Sequence, residues 1–321
     1  MQKTLDVLVN PFSNLNSQNP DNVEKPEFEK SEYIDRLLSQ YNPVYDDDLI
    51  ELRYQGIKNK IRFPSLSPDE INFLMQRIFL KYARDKIEMP YTGIFISELI
   101  NESENYELNL KPLDFNIEFL CSQIKKPYWR PVDMPLSMTL EGNAANGFGY
   151  CCHEDRSNNS WLYRPELYFL VKGNAQRAVG ERARNCKFVI EGNAANSFGV
   201  MSRFSEFVVN GDVGDNCGKL ANDSKFYIKG NAGDNLGFWS KECEYIVEGR
   251  VGNFIGIPGE KRWRKPYEAE NCTFKTPNKE TYKKLRKNLP KGNKAIFMPE
   301  KEIRGLKCKQ QQDWSKKYWL L

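Results

Sequence analysis

The residues best suited to chemistry by type and spacing are Cys151, Cys152 and His153, which are consecutive in the chain. Thiolate and imidazole groups bind zinc, and a cysteine can act as a nucleophile when a histidine takes its proton. Two adjacent cysteines do not easily bind one tetrahedral ion, however, and the chain has no other histidine. No second Cys-x-x-Cys or Cys-x-x-His pair completes a site, and no third residue that would orient His153 can be named. We therefore expect no resident metal, no cofactor and no catalytic residue.

A glycine-rich phrase, FYIKGNAGDNLG at residues 226–237, raises the question of phosphate binding. A P-loop needs Gly-Lys-Ser/Thr after four intervening residues, and a dinucleotide-binding turn needs Gly-x-Gly-x-x-Gly between a strand and a helix. Neither pattern is present. Asp215 and Asp234 occupy equivalent positions of two such phrases, but other copies have asparagine or Arg177 there, which argues against a general acid and base. The phrases are therefore predicted to be turns.

The phrase repeats along the chain with a period of 19 residues, and each of six copies has a first glycine and a second glycine seven residues later. The first glycines are Gly142, Gly173, Gly192, Gly211, Gly230 and Gly249, and the second are Gly149, Gly180, Gly199, Gly218, Gly237 and Gly256. A twelve-residue insertion between Cys151 and Glu166 explains the one longer interval, and a partial copy at 271–278 ends the array. Glycine accepts positive φ without a Cβ penalty, so both glycines of each copy are predicted to turn the chain.

Apolar residues lie four and two positions before each first glycine, as in Phe188 with Ile190 and Phe226 with Ile228. This alternation is typical of a strand with one buried face. Stacked parallel strands lie about 4.8 Å apart, so these faces would form one continuous core. The sequence therefore predicts a mainly β protein, a parallel β-helix of about six or seven coils with 19-residue repeats.

The outward positions of the same strands support a parallel register. Five residues before the first glycine, successive copies have Lys187, Glu206, Lys225 and Glu244, which would place opposite charges side by side. Three residues before the first glycine lies a mostly apolar set, here named the outer stripe. It comprises Thr139, Leu170, Val189, Val208, Tyr227 and Ile246. Apolar stripes are rarely left in water, so we expect Val189, Val208, Tyr227 and Ile246 to form an interface, either within the chain or with a partner.

The phrases FVIEGNAANSFG, FYIKGNAGDNLG and YIVEGRVGNFIG resemble the GXGXG repeats found in two enzymes. In glutamate synthase the repeats form the C-terminal domain of the large subunit, and in formylmethanofuran dehydrogenase they form one of the subunits. The resemblance covers about residues 138–278 and implies that the β-helix is right-handed. It also implies a scaffold that stands beside catalytic domains or subunits, since the repeats of that family carry no recognised catalytic residues.

The flanks of the repeats have their own patterns. Ser67 and Pro68 are predicted to begin an amphipathic helix that continues through Ile71 and Leu74. The segments at 93–100 and 106–120 alternate like strands, and about 1–32 is predicted to be a mobile arm. The predicted organisation is a mixed α/β N-terminal region at 1–130, the β-helix at 131–278 and a C-terminal extension at 279–321.

The C-terminal extension is strongly basic. It has thirteen Lys or Arg against four acidic residues, although the whole chain has a net charge of only +4. Such a surface could bind nucleic acid, an acidic partner or anionic lipid, or could be a solvated extension packed on the body. The aromatic residues Trp314, Tyr318 and Trp319 near its end could pack on this chain or on another subunit, and both interpretations stay open.

Composition indicates the compartment and leaves the function class open. The eight cysteines form no compact framework, which favours reduced thiols. No apolar run approaches the roughly 18 residues of a membrane span, and no signal-peptide core is evident, so we expect a cytoplasmic protein.

We expect a non-catalytic scaffold or assembly subunit, for example in a larger enzyme complex, that binds another subunit or itself. The alternative is an enzyme or nucleic-acid-binding protein with its site on the flanks.

Overall fold

The computed structural model describes residues 65–82, 90–102, 107–110, 120–121, 124, 136–152, 167–257, 268–299 and 301–303. Within these residues the chain forms a nine-stranded sheet with few helices. The helices are α1 (Pro68–Tyr82), α2 (Pro90–Glu102) and α3 (Lys279–Asn288). The strands are β1 (Glu107–Leu110), β2 (Leu136–Leu140), β3 (Leu167–Val171), β4 (Cys186–Ile190), β5 (Glu206–Val209), β6 (Lys225–Ile228), β7 (Glu244–Val247), β8 (Thr273–Thr276) and β9 (Lys294–Phe297). The predicted arm at about 1–32 lies outside the described residues.

The strands lie in the sheet in chain order, and each neighbouring pair is parallel. Between β4 and β7 each residue pairs with the residue 19 positions later, as Lys187 does with Glu206. Lys187 Nζ lies 2.9 Å from a carboxylate oxygen of Glu206, so the predicted alternation of charge along the sheet is confirmed at this pair. Strand β1 lies within the segment at 106–120 that was predicted to alternate like a strand, whereas β9 adds a strand from the C-terminal flank that was not predicted.

Two further lines of parallel pairing run beside the sheet. Two residues after the first glycine, Ala175 pairs with Ala194 and Ala194 with Val213. Eleven residues after the first glycine, Arg203 pairs with Asn222 and neighbouring copies continue the line. A single cluster of buried side chains extends along the whole sheet. Pairing at three places in each copy is consistent with a β-helix-like arrangement.

Stacked aromatic rings form the centre of the core. They are Phe169, Phe188, Phe207, Phe226, Tyr245 and Phe274, one from each of β3 to β8. Neighbouring ring centroids lie 4.5 to 5.3 Å apart, with ring planes within 12° of parallel. The rings stack because the parallel register sets equivalent side chains one strand spacing apart. Each pair contributes about 0.5–1.5 kcal/mol beyond its buried area.

The two glycines of each copy are required for different reasons, which corrects the prediction that both depend on positive φ. The second glycines have φ between 63° and 68°, and an alanine Cβ at Gly199 would lie 2.7 Å from the ring of Phe226. None of the described first glycines has positive φ. Instead, a Cβ at Gly192 would lie 2.8 Å from the carbonyl oxygen of Gly173 in the preceding copy. The first glycine therefore permits close approach between copies.

Left-handed backbone extends well beyond the glycines. Sixteen described non-glycine residues have positive φ, and none of them is β-branched. In the copy that begins at Gly211, Asn216 and Leu220 are left-handed and donate their N–H groups to Asp234 and Phe238 of the next copy. Gly218, which lies between them, donates instead to Phe198 of the preceding copy. The turns are thus hydrogen-bonded between copies as the strands are, which leaves few buried backbone groups without a partner.

A helix packs near each end of the sheet. At the N-terminal end, α1 packs on β1, and Asn72 Nδ2 donates to the carbonyl oxygen of Asn109 at 2.8 Å. At the C-terminal end, Thr281 Oγ1 and Lys284 Nζ of α3 donate to the carbonyl oxygens of Gly249 and Val251, each at 3.0 Å. The two α3 donors bind carbonyl groups at the end of the pairing line through Ala232 and Val251, where a further copy would otherwise bind.

The N-terminal helices test two predictions. The Ser67 cap is confirmed, because Ser67 Oγ accepts the N–H of Glu70 and the Glu70 carboxylate accepts the N–H of Ser67 at 2.7 Å. The predicted strand at 93–100 is wrong, because it lies in α2. Phe95 and Leu99 are both buried, four residues apart, which fits a helix. The segment is so apolar that alternation did not distinguish a strand from a buried helix.

Candidate interaction surfaces

The outer stripe is partly covered by the chain itself. Tyr227 and Ile246 are only 3% and 7% exposed, and they form a separate buried cluster with Met298 and Ile303. Val208 packs against the same cluster. The chain after β9 therefore turns back over β7 and β6, so this part of the predicted interface is an internal contact.

The other end of the outer stripe has less cover. Leu170 and Val189 are partly exposed, and they pair with each other in the sheet. Within the covered part, the Tyr227 hydroxyl donates to a carboxylate oxygen of Glu248. Burial, followed by this hydrogen bond, raises the pKa of Tyr227 above its ordinary value. The stripe is thus divided between a covered part at β5–β7 and a partly exposed part at β3–β4.

A second apolar surface, here named the turn ridge, lies in the turns that follow the second glycines. Its accessible members are Met201, Leu220, Phe238 and Trp239, and Val200 in the same line is buried. They occupy the eighth and ninth positions after the first glycine in three consecutive copies. Met201 N–H donates to Lys219 and Leu220 N–H to Phe238, so the ladder holds neighbouring members in register. Trp239 is 41% exposed, the highest value among the large apolar residues described as exposed.

The turn ridge combines apolar surface with charge. Lys219 Nζ lies 5.2 Å from the ring centroid of Phe238, and the ring of Phe238 lies 6.5 Å from that of Trp239. In the copy that begins at Gly173, the equivalent positions hold Glu181 and Arg182. Burial raises the pKa of Glu181, and the positive charges of Arg182 and Arg177 oppose that shift. The ridge thus changes from charged to apolar along the stack.

Sequence reasoning missed the turn ridge, although its signal is present. Reading the ninth position of the first five copies gives Cys151, Arg182, Met201, Leu220 and Trp239. Each of these residues has positive φ, a conformation that is uncommon for non-glycine residues and is not expected from their side chains. Without that geometry, the position looks like an ordinary variable turn.

The asparagine and aspartate residues that follow the first glycines form a ladder between copies. Asn174 Oδ1 accepts the N–H of Asn193 at 2.8 Å, and Asn193 Oδ1 accepts that of Asp212 at 2.8 Å. A second ladder includes Asp215, whose Oδ1 accepts the N–H of Asp234 at 2.8 Å. These carboxylates bind backbone N–H groups, which is a structural role and supports the prediction that they are not an acid–base pair.

The Cys151, Cys152 and His153 candidates are only partly described. Cys151 and Cys152 are buried, and Cys152 Sγ donates to the carbonyl oxygen of Cys121 at 3.1 Å. Burial raises the pKa of Cys121 well above its ordinary value. His153 lies outside the described residues. Within the part of the chain that the structure describes, no three His, Cys, Asp or Glu side chains are grouped to hold a metal ion.

Other cysteines take part in a ladder of small polar side chains. Ser205 Oγ accepts the N–H of Cys186 at 3.2 Å, and Cys272 Sγ accepts that of Cys243 at 3.4 Å. Cys243 Sγ also donates to the carbonyl oxygen of Lys241, two residues earlier. Hydrogen bonding to Cys272, together with burial, raises the pKa of Cys243. These contacts give the thiols a structural role in the hydrogen bonding between copies.

Comparison with known proteins identifies no relative: no family model, curated protein or solved structure matches the chain. Among the helices in the described ranges, none has the length and apolar character needed to cross a bilayer.

Proposed function

We propose that this protein is a non-catalytic scaffold or assembly subunit that binds another protein subunit, or a second copy of itself, through the turn ridge. The frame would be a right-handed parallel β-helix with 19-residue coils, as the resemblance to GXGXG repeats implies. Three observations support this β-helix: neighbouring strands are parallel, paired residues are 19 positions apart, and each copy pairs with the next at three places. In the enzymes that carry such repeats, the β-helix stands beside catalytic parts, which suits a role within a larger complex.

The observation that carries the proposal is that the Trp239 side chain is exposed on turns whose backbone is hydrogen-bonded between copies. Trp239 stands next to Phe238, with Leu220 at the equivalent position of the preceding copy. Tryptophan is among the residues that most often dominate binding energy at protein interfaces. Because the ridge backbone is hydrogen-bonded between successive copies, as Met201 is to Lys219 and Leu220 to Phe238, little of it needs to be ordered on binding.

The cysteines are consistent with a cytoplasmic location. Seven cysteines in the described ranges are free and buried, and none of the seven forms a disulfide. Reduced thiols are typical of proteins in the cytosol, where disulfides rarely persist. The cytoplasm is therefore the proposed compartment.

Association and a ridge variant together test the proposal. We expect the full chain to elute with a partner, or as a multimer by light scattering, and Trp239→Asn to weaken that association at least tenfold. A buried interface tryptophan commonly contributes about 2 kcal/mol or more. Phe204→Asn is the matched control, because Phe204 is 39% exposed, also has positive φ and lies outside the ridge.

Two outcomes would count against the scaffold. A lone monomer that retains no partner would remove the basis for an assembly subunit. Association that Phe204→Asn and Trp239→Asn weaken equally would show that the ridge is not the interface. The alternative of an enzyme with its site on the flanks predicts a monomer whose activity is independent of Trp239.

A further inference from the structure

Helix α3 presents a basic face to solvent. Its exposed basic residues are Lys279, Lys283, Arg286 and Lys287. Spacings of three and four residues place these side chains on one side of a helix. The opposite side is buried, with Thr281 and Leu285 packed against the end of the sheet. The charged face is therefore held in one orientation relative to the sheet.

The charge on this surface is poorly compensated. Between Lys279 and Lys294 the sequence has seven Lys or Arg residues and one acidic residue, Glu280. Among the described residues, the ion pairs all lie outside α3 and β9. Like charges four residues apart, such as Lys279 and Lys283, destabilise a helix. A bound polyanion would relieve this repulsion.

Two aromatic rings lie beside the basic face. The ring centroid of Tyr282 lies 5.7 Å from that of Phe297, and Arg286 Cζ lies 5.9 Å from the Tyr282 ring. Phe297, at the end of β9, is 37% exposed, and Tyr282 is partly exposed. Aromatic rings next to cationic side chains are the combination by which proteins bind unpaired bases and phosphates together.

We propose that the surface formed by α3 and β9 binds single-stranded nucleic acid. The basic face contacts the phosphates, and Phe297 and Tyr282 stack on bases. Anionic lipid fits less well, because an interfacial helix inserts its apolar side and the apolar side of α3 already packs on the sheet. An acidic protein would use the charge but would not depend on the rings. This inference is independent of the turn ridge and of the scaffold role.

Salt dependence of binding gives the first test. The full chain is titrated against fluorescein-labelled oligouridine of about 20 nucleotides, and fluorescence anisotropy is measured from about 50 to 200 mM KCl. Each phosphate contact on a single strand contributes about −0.7 to the slope of log K against log salt. With about five contacts, affinity should fall on the order of 10²-fold across that range.

Paired variants separate the charges from the rings. Lys283→Ala with Lys287→Ala should make the slope shallower by about 1.4, since two contacts are lost. Lys225→Ala with Lys241→Ala, which removes equal charge from β6 and from the turn before β7, should leave the slope unchanged. Phe297→Leu should weaken binding roughly fivefold or more at constant slope, because a base loses its stacking partner.

Several results would overturn the proposal. One is no binding to oligouridine at about 50 mM salt, the low end of the range in which phosphate contacts are strong. Another is equal affinity for polyglutamate or phosphatidylserine vesicles, with Phe297→Leu binding normally, since the surface would then recognise charge alone. Trp239→Asn serves as the internal reference: it should leave oligouridine binding intact, so failure of one proposal is distinguishable from failure of the other.

Discussion

Replacing Gly211 with alanine tests why the first glycine of each copy is needed. A Cβ at this position would overlap Oδ1 of Asn193 and lie 2.8 Å from the carbonyl oxygen of Gly192. Both atoms belong to the preceding copy and cannot move freely, because they also accept hydrogen bonds. Gly192 accepts the N–H of Gly211 at 3.0 Å, and Asn193 accepts that of Asp212 at 2.8 Å. The copies must therefore separate locally.

The expected cost follows from these contacts. Weakening two hydrogen bonds costs about 1 kcal/mol each, and overpacking adds about 1–3 kcal/mol. Gly211→Ala should therefore lower the free energy of unfolding by about 3–5 kcal/mol. Gly292→Ala is the control, since Gly292 has φ of 93° and a Cβ added there would have no heavy atom within 4 Å. It should cost only the backbone strain of a left-handed residue, about 1–2 kcal/mol.

Urea denaturation followed by circular dichroism measures both variants. The urea concentration at the midpoint of unfolding should fall further for Gly211→Ala than for Gly292→Ala. The dependence of the free energy of unfolding on urea concentration should stay the same. Adding Asn193→Ala to Gly211→Ala should restore part of the loss, because one of the two obstructing groups is shortened. If Gly211→Ala costs no more than Gly292→Ala, close approach between copies is not the reason for this glycine.

Three further predictions concern buried side chains. Tyr245→Phe removes a hydrogen bond to the carbonyl oxygen of Gly218 and should cost about 1 kcal/mol near pH 7. Burial raises the pKa of Tyr245 well above 10.0, so the unfolded chain loses this proton first and stability should fall as pH rises past about 10. Between pH 8 and 11, the urea midpoint should fall less steeply with pH for Tyr245→Phe than for the unmodified protein. An equal dependence on pH in the two proteins would contradict this. Ile303→Ala should cost about 2–4 kcal/mol and speed hydrogen exchange around Tyr227, whereas unchanged exchange would mean that the stripe is not covered there. The seven buried cysteines should react with a thiol reagent only as the protein unfolds, and rapid native labelling would show otherwise.

The local sequence pattern was sufficient to predict the strands that carry the repeat. Period-two alternation at Phe188 and Ile190, together with the 19-residue spacing, predicted both the buried face and the neighbours of each strand. The charges at Lys187 and Glu206 predicted the register, because a slip of one residue would turn every side chain to the opposite face. These features depend only on residues that are close in sequence or one period apart.

Contacts between distant segments were not predictable in this way. The segment at 93–100 is apolar enough to suit a strand or a helix, and its burial in the core beside α1 decided for α2. Strand β9 has no glycine phrase after it, and it joins the sheet by pairing with β8. Trp239 has a left-handed backbone, which could not be predicted because tryptophan has no preference for that conformation.

The amino-acid sequence by itself determined the repeat, the inward and outward faces of its strands and the positions where only glycine fits. Steric limits on the backbone and the burial of apolar side chains act within one copy or between adjacent copies, so they leave a periodic record in the sequence. Only the tertiary structure decided which outward surfaces are covered. Ile303 packs on Tyr227 through folding back of the chain, while the turn ridge and the basic face of α3 stay accessible. Those outcomes depend on how the non-repeating flanks pack, and no periodic pattern encodes that packing.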